Sequence, residues 1–191
     1  MSSWKASLIG WLQKLAARAR RWNQAPAGTA PAWTLAFLER IFSTYHFAPE
    51  AAAWLRREIA VEVLDPGSTR GGGYWLPAEK KVRLFTAQDE AAVHELAHAW
   101  WHYRRPGQAQ DLIAAVIQAA AEPDRRYARV QGLAYGYVHG IPEQHWPGML
   151  VDNNDWEMFA GLASGTMGDM RLMPPYLRRF YEWLFTMPEP P

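Results

Sequence analysis

The chain has 191 residues, with 20 basic against 19 acidic side chains and a net charge of +1. That balance lacks the basic footprint of a nucleic-acid binder, and the length suits one domain with a proper core. No cysteine is present, so disulfides and thiolate metal sites are excluded and any metal must be held by His, Asp or Glu.

Residues 4–22 (WKASLIGWLQKLAARARRW) read as an amphipathic helix. Trp4, Leu8, Trp11, Leu12, Leu15, Ala19 and Trp22 recur at helical spacing, and Lys14, Arg18 and Arg21 fall on another side. The segment is not a secretory signal, because Gln13 and Lys14 interrupt any apolar run and the arginines follow the apolar residues. Three roles are open to it: packing on its own domain, peripheral contact with an anionic membrane, or covering a cleft as an inhibitory segment. With no signal, no span-length apolar stretch and no Cys, the expected location is cytoplasmic. Residues 23–32 (NQAPAGTAPA) read as a Pro/Ala/Gly linker. The domain proper is expected over 33–191.

Beyond the linker, 33–45 predicts a helix with Leu35, Leu38, Ile41 and Phe42 on one side. Pro49 starts a second, through Arg57. Residues 58–64 alternate polar and apolar as a half-buried strand, which Asp65-Pro66-Gly67 breaks. Residues 74–85 predict a β-hairpin turning at Pro77-Ala78-Glu79-Lys80. Its second strand, 81–85, immediately precedes the helix over 89–103. A free edge there would let Val82, Arg83 and Leu84 align an extended substrate by β-augmentation; an ordinary sheet strand is the alternative. Helices follow over 89–103, 108–121, 124–139, 152–164 and, as a terminal amphipathic helix, 174–185.

The helix over 89–103 (DEAAVHELAHAWWHY) carries the chemistry. His94-Glu95-Leu96-Ala97-His98 is H-E-x-x-H, which sets two imidazoles one turn apart on one face. Glu95 can then reach a metal-bound water without ligating the metal. Zinc would lower that water's pKa towards neutrality, and Glu95 would take its proton as general base. The match is short, and context decides it. Apolar residues surround the motif on nearly all sides, and burying two histidines and a glutamate unpaired is costly unless a metal joins them.

A catalytic zinc needs a third protein ligand. His102 is excluded, because eight residues put it about 12 Å along the helix from His94. Glu157 is the candidate, a carboxylate between Trp156, Met158, Phe159 and Ala160 in a predicted helix. Asp155 and Asp152 better suit a cap or first turn.

HELAH followed by a helical Glu and a Phe-Ala step resembles the gluzincin branch of zinc metallopeptidases. Asn154 to Ala160 resembles the glutamate helix of the anthrax lethal factor catalytic domain, and the hairpin and closing helix resemble the minigluzincins. The resemblance implies an α+β, mainly helical, zincin-like fold. Its parts are a small upper sheet, a motif-bearing active-site helix and a helical lower subdomain that supplies the third ligand. It also implies hydrolysis of a peptide or protein substrate with Zn2+ held by His94, His98 and Glu157. Some minigluzincins are latent, so a binding module autoinhibited by a terminal segment is the alternative. The chain departs from the family at Leu150, where an oxyanion-stabilising tyrosine is usual, and at Gly161, where an acidic residue is common. Tyr135, Tyr137, His145 and Tyr176 are the candidate oxyanion donors, and the sequence does not rank them.

Overall fold

The computed structural model describes residues 32–67, 69, 71–104, 107–139 and 154–187. The segment 4–22, all but the last residue of the expected linker, His145, Leu150 and Asp152 lie outside the described residues.

Helix α1 (Ala32–Thr44) begins one residue inside the expected linker. It buries Thr34, Phe37, Leu38, Ile41 and Phe42, whereas Leu35 is 55% exposed. The stripe 34-37-38-41 follows the i, i+3, i+4, i+7 rule, and Leu35 lies about 100° around the helix from Thr34. Helix α2 (Pro49–Glu58) has proline in its first turn and buries Ala51, Ala52 and Leu55. It runs to Glu58, so strand β1 (Ala60–Val63) is shorter than the alternation predicts.

Strands β2 (Gly73–Leu76) and β3 (Lys81–Leu84) form the expected antiparallel hairpin. One 3-10 turn, Pro77–Glu79, joins them through Lys80, whose φ of 47° closes the turn. The strand order is β1-β3-β2, with β1 parallel to β3. β3 is therefore the middle strand and β2 forms a sheet edge among the described residues.

Helix α3 (Asp89–Arg104) packs beneath β2 and β3, and its other side meets α6 (Asn154–Thr166). Helix α4 (Ala109–Ala120) and helix α5 (Ala128–Val138) flank α6. The helix expected from residue 124 is preceded by a 3-10 turn over Arg125–Tyr127, capped by the Asp124 carboxylate accepting from the Arg126 amide at 3.0 Å. The terminal helix is corrected to one α-helical turn, α7 (Pro175–Arg178). Leu177, Phe180, Tyr181, Leu184 and Phe185 are all buried at the predicted helical spacing. The backbone bonds that follow α7 mix three- and four-residue steps, so the coil keeps its apolar face without a continuous α ladder. The buried residues form one core. The chain is thus α+β and mostly helical, with a three-stranded sheet, and no described helix is long and apolar enough to cross a membrane.

Two staples fix α3 against α6. The Trp101 indole donates to the buried Asp155 carboxylate at 2.7 Å. Trp101 also stacks on Phe159, and Phe159 on Tyr181, with centroids 4.6 and 4.4 Å apart. Such pairs add about 0.5–1.5 kcal/mol beyond the area they bury. Trp101 thus faces Asp155, near the start of α6, which sets the register of everything further along.

At its N-terminus α3 is tied to α1. Arg40 forks onto the Asp89 carboxylate at 2.7 and 2.5 Å, and the Tyr45 hydroxyl donates to it as well. The Arg40 hydrogen bonds, with that of Tyr45 and against the opposing effect of burial, hold the Asp89 carboxyl below its usual value. A depressed carboxyl stabilises the fold at neutral pH and loses that contribution as pH falls below about 4. The pair is 49% and 26% exposed, so the expected contribution is about 1 kcal/mol. Asp89→Asn should lower Tm at pH 7 and flatten its fall on acidification. An acid limb as steep as the wild type's would assign the pH dependence to other carboxylates.

Candidate metal centre

α3 and α6 pack so that His94, His98 and Glu157 converge. His94 Nε2 lies 3.0 Å from His98 Nε2 and 3.3 Å from Glu157 Oε2, and His98 Nε2 lies 3.4 Å from Glu157 Oε1. Ligand atoms from the three side chains lie within 4.8 Å of one another. Three ligands at the 2.0–2.1 Å of a tetrahedral zinc stand about 3.3 Å apart. The observed triangle has that size, so the three residues fit a shared metal ion.

The three side chains are coupled electrostatically. Hydrogen bonds from His94 and His98 hold the Glu157 carboxyl far below its usual range. Burial works against the charged form of His94, but its hydrogen bond to Glu157 and the charges of Glu95, Glu157 and Glu90 outweigh this and raise its pKa. Glu157 remains 57% exposed on its side chain, against 24% for His94 and 7% for His98. The group is therefore open on one side, to a cleft of about 600 Å³.

Glu95 is 6% exposed yet lines that cleft beside both histidines. Burial pushes its carboxyl up, and the charges of His98 and His94 and the Trp75 backbone N–H pull the other way without cancelling the rise. The Trp75 contact follows from the sheet. Phe85 N donates to Gly72 O, so 72/85 is a hydrogen-bonded pair. In an antiparallel ladder such pairs alternate, so Gly73 and Trp75 turn their N–H and C=O outward, away from β3. Both residues line the cleft. Gly73 is required here: an added Cβ would lie 2.7 Å from Arg83 O and 3.0 Å from Glu95 Cγ.

The sequence expectation for Val82, Arg83 and Leu84 is corrected. β3 is bonded on both sides, Val82 and Leu84 are fully buried, and Arg83 is 6% exposed with its Nε 2.7 Å from Glu62 Oε2. None of the three reaches the cleft; the edge beside it belongs to β2. The alternation of apolar residues marks both hairpin strands alike and does not say which one β1 will join.

His102 is not a ligand. Its ring packs on Tyr103, Trp156 and Trp75, and burial lowers its pKa. Asp155 is the Trp101 staple. Among the oxyanion candidates, Tyr176 donates to Glu122 at 2.9 Å, and Tyr135 is 51% exposed against His139. Neither approaches the three ligands. Tyr137 does: its hydroxyl would sit 1.7 Å from a Cβ at residue 161, one turn after Glu157. The phenol thus fills the space that a side chain at Gly161 would take. Burial, then the charge of Glu157, raises its pKa to about 12, so it stays a protonated donor.

Two cleft residues escape the sequence reading. Glu90 is one turn before His94 on the same face and exposed to the cleft. Ser164, 5% exposed, lies 3.4 Å from His94 Nδ1. Its only signal was its place seven residues after Glu157, on the same face of α6. No protein-family model, no curated protein and no solved structure matches the chain.

Proposed function

We propose that this chain is a zinc-dependent metallopeptidase with a zincin-like fold. The observation that carries the reading is the His94–His98–Glu157 triangle with the buried carboxylate of Glu95 beside it, open to a cleft bordered by a strand edge that no described residue pairs. Two imidazoles and one carboxylate suit zinc among the divalent ions. A zinc ion held by those three side chains would polarise a substrate carbonyl and acidify a bound water.

The chain's own residues do the rest. Glu95 takes a proton from the attacking water and returns it to the leaving amine. Its raised pKa suits a base that must give the proton back. Gly73 and Trp75 offer backbone groups to an extended peptide laid along β2, which favours a chain-like substrate over a compact one. Trp75 N–H also holds the Glu95 carboxylate, so substrate alignment and the base share one element. Tyr137 is the described tyrosine best situated to stabilise developing negative charge, through the approach of its hydroxyl to the Glu157 turn.

The test is cleavage of a diverse peptide library by the zinc-loaded protein, read by mass spectrometry. Cleavage should stop after dialysis against a chelator and return on adding zinc. A protein that binds zinc but cleaves nothing across the library would be a metal-binding module, and the peptidase reading would fall.

A further inference from the structure

We infer that Ser164 is a positioning residue for the metal ligand His94, an inference that rests on the metal reading above. α3 and α6 run antiparallel, for Trp101 faces Asp155 near the start of α6 while His94 faces Ser164 near its end. Glu157 and Ser164 are seven residues apart, two helical turns, so they share a face. A single helix therefore offers the third ligand and, further along, a hydroxyl to the back of the first.

The direction of the hydrogen bonds follows from their partners. The Ser164 hydroxyl donates to the Gly161 carbonyl at 3.3 Å, which leaves its lone pairs for His94 Nδ1 at 3.4 Å. His94 Nδ1 is then the donor. A neutral imidazole with its proton on Nδ1 has its lone pair on Nε2, the atom aimed at His98 and Glu157. The hydroxyl thereby selects the tautomer that can ligate. Among the described residues His98 has no equivalent: its Nδ1 is buried without a hydrogen-bond partner there. Of the two rings, His94 is the one that a described side chain holds from behind.

Loss of such an outer partner weakens metal binding about 10- to 100-fold, and a bond of 3.4 Å belongs at the lower end. The experiment is zinc affinity by competition with a chromogenic chelator, for wild type, Ser164→Ala and Ser164→Thr, alongside the Tm of each metal-free protein. The expected result is a loss of about tenfold in Ser164→Ala, recovered in Ser164→Thr, with metal-free Tm values unchanged. Wild-type affinity in Ser164→Ala overturns the inference and leaves the metal reading standing. A loss that threonine does not restore, or that accompanies a fall in metal-free Tm, also overturns it, because the effect is then one of packing. Absence of zinc binding by the wild type overturns the metal reading and this inference with it.

Discussion

A Glu95→Gln variant should hold zinc in wild-type stoichiometry and lose peptide hydrolysis by about 10²- to 10⁴-fold. The amide keeps the volume of the carboxylate against Gly73, where space is tight, so the wall of the cleft should survive. It cannot accept and return a proton. Elemental analysis of the variant beside a single-peptide assay separates the two effects. Undiminished turnover would remove Glu95 from the proton path, and loss of zinc would make it part of the metal-holding set instead. Glu95→Asp is the useful companion. It keeps the acid but shortens the reach, and an intermediate rate would show that the distance to the water matters.

The second large effect concerns the ligands. Zinc at a thousandfold excess over Kd should stabilise the wild type by about 4 kcal/mol, a rise of about 8–16 °C in Tm for a chain of this length. His94→Ala, His98→Ala and Glu157→Ala should each lose most of that rise. His102→Ala should keep it, because His102 stands in the aromatic cluster with Trp75, Tyr103 and Trp156. The control guards against a general effect of removing a histidine from α3. An undiminished zinc response in Glu157→Ala would transfer the third position to another carboxylate; Glu90, exposed to the same cleft, is the first to examine.

The part of the site that local periodicity encodes was legible in the sequence. His94, Glu95 and His98 follow from one helix and one spacing. Glu157 followed from a charge set among Trp156, Met158 and Phe159 in a second helix. That the two helices meet at ligand distance depends on contacts such as Trp101 with Asp155 and Phe159, which join residues more than fifty positions apart and leave no local pattern. The hairpin was legible, but not its place in the sheet. β1 could have joined either strand, and its choice of β3 moved the open edge to Gly73 and Trp75. At the C-terminus the burial of Leu177, Phe180, Tyr181 and Leu184 was legible while the backbone that delivers it was not. Periodicity records which residues face the core, and irregular turns can satisfy it as well as an α-helix. The Tyr137–Gly161 contact was hidden for the opposite reason, since a missing side chain carries no periodic signal.

The edge of β2, open among the described residues, also bears on solubility. Unpaired strand groups can template the addition of an identical strand from another copy and so seed aggregation. This edge is poorly suited to that. It is four residues long, Pro77 follows it directly with no N–H to donate, and the N–H of Trp75 is already turned onto Glu95. A neighbouring molecule would find too few free groups to propagate a fibre. The same brevity confines any guest strand to a short stretch, so the edge can receive a passing peptide without becoming a nucleus for its own kind.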